Sequence, residues 1–502
     1  MTRPIWYAWL TEVFRDFHLD PVSPVPLYRQ VFDRFSHLIH SGELAHGDRL
    51  PATRDLAAQL GLNRGTVAAA YALLESEGLI SGHVGRGSFV LGPKPSAGLS
   101  WSSLLAAWDG AGPAAPPPPA SDVISFESSR PAGEMFPLDE FAETCGEVTR
   151  GADRAAVLQL GSPFGFGPLR QWLIEEMRRS GAWRDGDDLI VTSGCQQALD
   201  LLVRVLMGTP EGATVALEDP VYPGARNLFA RAGVRMAGVP VGPDGLDLAA
   251  LERVLAQERP RIALVTPNFQ NPTGLTLPLP ARRDLIAMAR NAGCVLVEND
   301  VYGDLRYWGE PEPSLKALDD GALTVQIRSF SKVAFPGLRV GWAAGPRPLI
   351  ARMAEAKLLA DLHTDHLSQA VLLRFAESGR LAAHIARVLN VGRERLEAVL
   401  DACAKHLPDG ASWTRPEGGM NLWVNLPRPL DAAALLPAAR RAGVSYLPGH
   451  CFAVSRQEPG GFRLSFAGLE PEQIHRGVGL LGAVCAEEFS RERHDETAPA
   501  IV

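Results

Sequence analysis

Leu27, Val31, Phe35 and Leu38 recur at helical spacing in PLYRQVFDRFSHLIHSGEL and predict a helix with one buried face. The following stretch, LPATRDLAAQLGLNRGTVAAAYALLESEGLI, predicts two short helices broken at Gly61-Leu62, the second capped by Asn63 and ended by Gly78. Two short helices about a tight turn are the helix-turn-helix plan. SGHVGRGSFVL then supplies two short strands around Gly85-Arg86-Gly87. Further along, the period changes. Apolar runs DLIVTS, ATVALE, RIALVTP, CVLVEN and LTVQIRSF alternate with helical stretches, which predicts an α/β domain with a parallel-rich sheet.

Between these zones the chain holds the PPPP of Pro116 to Pro119 among many Ala, Gly and Ser residues, the composition of a linker; only WSSLLAAW in its middle suits a helical turn. The expected organisation is an N-terminal arm (1–25), a helix-turn-helix module (26–92), a linker (93–121), an α/β domain (122–488) and a disordered tail (489–502). A chain of 502 residues exceeds a single hydrophobic core, in keeping with this division. The formal charge of -8 argues against coating nucleic acid or anionic membrane along the whole length, and leaves a local DNA-reading surface open. Cys145, Cys195, Cys294, Cys403, Cys451 and Cys485 show no paired CxxC spacing, so neither a metal site nor a disulfide framework is expected, and a reducing cytoplasm fits. No apolar run is long enough to span a bilayer, and no small-residue cleavage site follows MTRPIWYAWLTEVFRDF. The expectation is a cytoplasmic protein with no membrane partner.

In the helix-turn-helix plan the start of the second helix enters the major groove, which places Asn63, Arg64 and Thr66 near phosphates or base edges. Arg54 is set to grip the DNA backbone, and Arg86 to reach the minor groove from the tip of a wing. The same element also serves elsewhere as a protein-docking module, and the balanced charge of residues 26–92 does not decide between the two. The residues do shift the balance. LPATRDLAAQLGLNRGTVAAAYALLESEGLI followed by GRGSFV resembles the GntR-type winged helix, and the resemblance implies double-stranded operator DNA as partner, with Arg54, Arg64 and Arg86 as contacts.

Four segments of the α/β zone carry chemistry. In TSGCQQALDLLVRVL a strand gives way to a helix at Ser193-Gly194-Cys195-Gln196, where free amides favour an anion such as phosphate, though many α/β proteins make this turn without one. TPNFQNPTG offers Asn271 as a donor to a phenolic oxygen. VENDVYGDL offers Asp300 and Tyr302, two apart and so on one face of a strand, where a carboxylate keeps a pyridine nitrogen protonated and a phenol bonds a ring hydroxyl; a structural Asp at a strand end is the alternative. SFSKVAFPGLRVGW supplies Lys332 for imine chemistry, with Ser329, Ser331 and Arg339 suited to a phosphate. Ligands of open parallel sheets gather at the carboxyl ends of the strands, where all four segments converge.

On these residues the region 122–488 resembles the fold-type I aminotransferases, with a parallel-rich large domain and a smaller C-terminal subdomain. The resemblance implies pyridoxal 5'-phosphate as cofactor, Lys332 as its Schiff-base lysine, Asp300 as the partner of the pyridine nitrogen, and Asn271 and Tyr302 as ligands of the ring hydroxyl. It implies a phosphate cup of Ser193, Gly194, Cys195, Gln196, Ser329, Ser331 and Arg339. Tyr222 in EDPVYPG resembles the aromatic residue that stacks on the pyridine ring. Arg463 in GFRLSFA resembles the arginine that pairs with a substrate carboxylate, a surface strand-edge arginine being the alternative. Winged helix, Pro-rich linker and aminotransferase-like domain in this order resemble the MocR/GabR-like subfamily of GntR regulators. That implies a homodimer that reads DNA and senses an amine or amino-acid effector, or the cofactor itself. One position departs from the subfamily: Asn271 stands where many such regulators carry an aromatic residue, and QNPTG is more similar to working enzymes, so transaminase turnover stays open.

Overall fold

The computed structural model describes residues 19–20, 23, 25–83, 87–92, 123–208, 212–321, 323–456 and 458–497. The chain divides into two compact units, Met1–Gly110 and Ala111–Val502. The boundary falls within the expected linker 93–121, which itself lies outside the described residues, as do most of the arm, Arg86 and the last five positions.

The first unit is built from α1 (Leu27–His40), α2 (Thr53–Leu60), α3 (Arg64–Ser76) and the antiparallel pair β1 (Ile80–His83) and β2 (Gly87–Val90). Val31, Phe35 and Leu38 are buried as the spacing predicts. Leu27 is only half-buried, and Phe32 and Ile39 complete the stripe instead. Gly61 ends α2 in the left-handed conformation at φ 64°, and the Asn63 side chain accepts from Gly65 N at 2.8 Å to cap α3. Leu56, Val67, Ala70 and Leu74 close the core from these two helices against α1.

The second unit is organised on an eight-stranded sheet in the order β4-β11-β10-β9-β8-β5-β6-β7. Its strands are β4 (Asp187–Thr192), β5 (Thr214–Asp219), β6 (Arg235–Gly242), β7 (Gly245–Leu246), β8 (Ile262–Val265), β9 (Val295–Asn299), β10 (Thr324–Ser329) and β11 (Gly341–Pro346). The inner strands β6, β5, β8, β9 and β10 run parallel; β11 runs antiparallel between β10 and β4, and β7 antiparallel on β6. Each parallel step is made through a helix, including α4 (Cys195–Leu206) and α5 (Leu279–Ala292). After β11 come α6 (Arg347–Asp361) and α7 (Arg380–His406).

A smaller four-stranded sheet, β12-β13-β16-β15, follows, made by Ser412–Trp413, Asn421–Asn425, Gly461–Ser465 and Leu447–Pro448. A short parallel pair joins β3 (Ile124–Ser125) to β14 (Val444–Ser445), tying the start of this unit to its C-terminal part. The last helix, α8 (Pro471–Thr497), corrects one expectation: it continues through residues 489–497, expected as the start of a disordered tail. Phe489 packs against the core, and the Glu and Arg residues that follow are good helix formers.

Lys316 donates to Asp187 at 2.9 Å with both side chains sealed from solvent. Removing one partner of such a pair strands the other charge. Lys316→Met is therefore expected to destabilise the α/β unit by about 3–5 kcal/mol. Chemical denaturation followed by aromatic circular dichroism checks this, and an unchanged midpoint contradicts it.

Candidate functional site

The residues expected to face the cofactor lie at or shortly past the carboxyl ends of β4, β5, β8, β9 and β10. Beyond β4, Ser193-Gly194 turns the chain into α4, with Gly194 at φ 80°. A Cβ at Gly194 would collide with the Arg339 guanidinium, so only glycine lets that cation close on the turn. Arg339 Nη2 donates to Ser193 O at 3.3 Å, and its Nη1 to Ser331 Oγ at 3.3 Å. Ser329 Oγ and Ser331 Oγ lie 2.9 Å apart. Two hydroxyls, a guanidinium and the amides that the start of a helix leaves free thus converge on one spot, the donor set of a phosphate site. Cys195 lies at the same helix start; burial pushes its thiol up, against the pull of Lys332 and Arg339. Gln196 Nε2 donates to Gly224 O at 3.0 Å, while its buried Oε1 has no partner among the described residues.

Lys332 follows β10 in a single tight turn, Phe330–Lys332, and its Nζ donates to Ser129 O at 2.6 Å. The same Nζ lies 5.5 Å from the centre of the Tyr302 ring. Asn271 Nδ2 donates to the Tyr302 hydroxyl at 3.3 Å, which is also 3.3 Å from Ser129 Oγ. Asp300 Oδ1 accepts from Asn268 Nδ2 at 2.8 Å. Strand alternation is not what pairs Asp300 with Tyr302, contrary to expectation, because β9 already ends at Asn299. They enter the site from the bend that follows, where Gly303 passes so close to Asp300 that a Cβ would sit 2.5 Å from Oδ1.

Tyr222 lies against Gly224 at the start of the helix Pro223–Arg231, and burial pushes its phenol up to about 12. Arg463, on β16, is buried; its Nη1 donates to Asn271 Oδ1 at 3.0 Å, its Nη2 to Glu127 O, and its Nε has no partner among the described residues. Its guanidinium stands 5.1 Å over the Phe452 ring. Burial pulls this guanidinium down to about 10, with Tyr302 and Tyr222 opposing, so at neutral pH it remains a poorly solvated cation with an open donor. That is the setting in which a carboxylate gains most. The surface strand-edge alternative for Arg463 does not hold.

In the first unit Arg54 and Arg64 are exposed, Thr66 is half-buried, and the Asn63 oxygen is committed to capping α3. Arg49, which the sequence pattern did not single out, lies against Gly87 at the start of β2. Ser129, Asn268 and Gln197 were likewise missed; Gln197 Oε1 accepts from Ser193 N at 2.8 Å. Asn268, inside the quoted TPNFQNPTG, and Gln197, inside the quoted TSGCQQALDLLVRVL, lay in segments already marked; Ser129 carried no signal. Among the described residues no group of His, Cys, Asp and Glu is arranged to hold a metal, and no helix is long and apolar enough to cross a membrane.

Two families match this chain: bacterial regulatory proteins of the gntR family over residues 27–90, and aminotransferase class I and II over residues 129–481. The HTH-type transcriptional regulator YdfD of Bacillus subtilis, described as uncharacterized, is 30% identical over 485 residues, covering 94% of this chain and 98% of YdfD. The probable rhizopine catabolism regulatory protein MocR of Rhizobium meliloti is 29% identical, over 92% of this chain and 94% of its own. Among solved structures, LysN, the alpha-aminoadipate aminotransferase of Thermus thermophilus, superposes with a TM-score of 0.68 at 37% identity. The match covers 74% of this chain and 94% of LysN. The fold and site define a winged-helix unit joined to an aminotransferase domain. The chain belongs to the MocR-type regulators of the GntR family, in which a DNA-binding domain is fused to a class I and II aminotransferase domain.

Pyridoxal 5'-phosphate is the cofactor of that domain class. The cradle at Gly194, the donors around Ser331 and Arg339, the carboxylate of Asp300 and the amine of Lys332 fit its phosphate, ring nitrogen and aldehyde in turn. Lys332→Ala is expected to abolish both the visible absorbance of the loaded protein and the fixation of cofactor to the chain by borohydride; either one surviving contradicts the role of Lys332. Arg339→Ala removes a charge-assisted donor, expected to weaken cofactor binding roughly 10- to 100-fold in an absorbance titration. An affinity equal to wild type would exclude Arg339 from the phosphate site.

Proposed function

We propose that this chain is a cytoplasmic, homodimeric regulator in which an amine or amino-acid effector, or the cofactor itself, changes how the winged helices engage paired operator half-sites. The observation that carries the reading is a complete amine, carboxylate and phosphate-donor set around Lys332, in a chain whose first unit exposes Arg54 and Arg64. When bound, the cofactor supplies an aldehyde for an amine to condense with and an electron-withdrawing pyridine ring. The protein's own groups do the rest. Lys332 would supply the amine that meets the aldehyde, and Asp300 would hold a proton on the ring nitrogen. Asn271, Tyr302 and Tyr222 would hold the ring and its hydroxyl, and Arg463 would receive a carboxylate on the effector. Response follows only if the effector binds the two states of the protein unequally.

The homodimer is supported by large apolar side chains that the second unit leaves exposed. Leu158 and Leu160 are 71% and 72% exposed, and Leu359 is 89% exposed. Leucines left open to this degree suit a surface that a partner covers.

A second reading, a working aminotransferase with an accessory winged helix, is favoured by the Asn271–Arg463 hydrogen bond. Turnover of keto acids by the loaded protein, assayed beside binding to DNA from upstream of its own gene, separates the two. The regulatory reading expects DNA binding with or without turnover; turnover without DNA binding supports the rival. Arg64→Ala is expected to weaken DNA binding across sequences and to reduce the slope of log affinity against log salt by about one. Unchanged affinity and slope would remove Arg64 from the interface.

A further inference from the structure

Behind the residues that face the cofactor lies a buried cation. Arg282, on α5, is 0% exposed. Its Nε donates to Leu277 O at 2.7 Å and its Nη1 to Pro313 O at 2.8 Å; its Nη2 donates to Pro267 O at 3.1 Å and to Asn268 Oδ1 at 2.6 Å. Leu277 N closes the same loop onto Pro267 O at 2.8 Å. One guanidinium therefore staples both ends of the loop 267–277, which carries Asn268 and Asn271. Burial pulls Arg282 down, opposed by the charges of Glu298, Asp300 and Glu312. Placing a guanidinium here carries a desolvation cost that an apolar side chain of similar volume would not. Space filling alone does not account for it.

The chain of donors runs on to the site. A guanidinium only donates, whereas the amide of Asn268 is able to face either way. With Oδ1 fixed on Arg282, the NH2 end of Asn268 must face Asp300, and it does so at 2.8 Å from Oδ1. Reversed, the amide would set a carbonyl oxygen against the carboxylate. The other charged groups about Asp300 are Arg328, whose Nε lies 3.4 Å from Oδ2, and Glu298, which burial pushes up to about 7 with the charge of Asp300 adding to the effect. Among the described residues the Asn268 side chain hydrogen-bonds Arg282 and Asp300. Glu298 is instead engaged by Leu315 N, Lys316 N and Gln326 Nε2.

We propose that Arg282, acting through Asn268, is the positioning residue of Asp300: it fixes the direction of the Asn268 amide, and so the geometry in which Asp300 meets the ring nitrogen of the cofactor. The inference rests on reading Asp300 as the partner of that nitrogen, and the test separates the two. Full-length protein loaded with pyridoxal 5'-phosphate is compared as wild type, Asn268→Leu, Arg282→Lys and Asp300→Asn, by cofactor absorbance across pH and by cofactor affinity.

Asn268→Leu is expected to move the midpoint of the pH-dependent absorbance by about one pH unit or more and to weaken cofactor binding about tenfold. Arg282→Lys, which keeps a donor but loses the fork, is expected to fall between Asn268→Leu and wild type. An Asp300→Asn protein with a wild-type spectrum overturns the assignment of Asp300 itself. A shifted Asp300→Asn spectrum beside wild-type behaviour of Asn268→Leu overturns the relay alone. Should Asn268→Leu fail to fold, Arg282→Lys is read in its place, and a wild-type pH midpoint there overturns the relay equally.

Discussion

The register of three parallel strands is the constraint on which the site depends. Val265 of β8 lies opposite Glu298 of β9, and Asn299 of β9 lies opposite Ile327 of β10, so the strands finish nearly level. The loops that leave them start from a common line, and Asn271, Asp300, Tyr302 and Lys332 meet for that reason. Shifting one strand by one residue would send its side chains to the opposite face and separate the amine from its partners. Residues buried on both faces of these strands, Leu264, Val297 and Ile327 on one and Ala263, Val265 and Leu296 on the other, hold the register. Packing in the sheet interior thus sets the geometry of polar groups at its edge.

Those polar groups were legible in the sequence because they lie a few positions past an apolar run and few residue types suit their chemistry. Lys332, its serines and Arg339 fall within one short segment. Their partners were not legible. Arg282 sits in ARRDLIAMAR, which no motif marked out, and its burial is decided by a loop wrapping over it from earlier in the chain. Ser129 follows no periodic pattern, and Lys332 meets its carbonyl only through the fold.

Direction was harder to read than existence. The run that becomes β11 is an ordinary apolar stretch, and its antiparallel course follows from its connection to β10, which has no crossover helix. Strand alternation was expected to bring Asp300 and Tyr302 onto one face, whereas β9 ends before them and they follow in a bend where Gly303 passes close to Asp300. At the far end of the chain, composition alone suggested a tail, while one anchoring phenylalanine and strong local propensity extend α8 to Thr497.

The two units share one chain, and in the regulatory account they share one equilibrium. Cofactor or effector occupancy in the second unit must then change the affinity of the first for DNA, and DNA must change the affinity for that same ligand by the same factor, because linkage is reciprocal. The most direct measurement is the affinity of wild-type protein for DNA from upstream of its own gene, by fluorescence anisotropy, without cofactor, with pyridoxal 5'-phosphate, and with cofactor plus amine. The account predicts that at least one loaded state differs from the unloaded protein by about fivefold or more, with a matching change, when DNA is present, in affinity for the ligand whose addition made the difference. Equal DNA affinity in every state would contradict it.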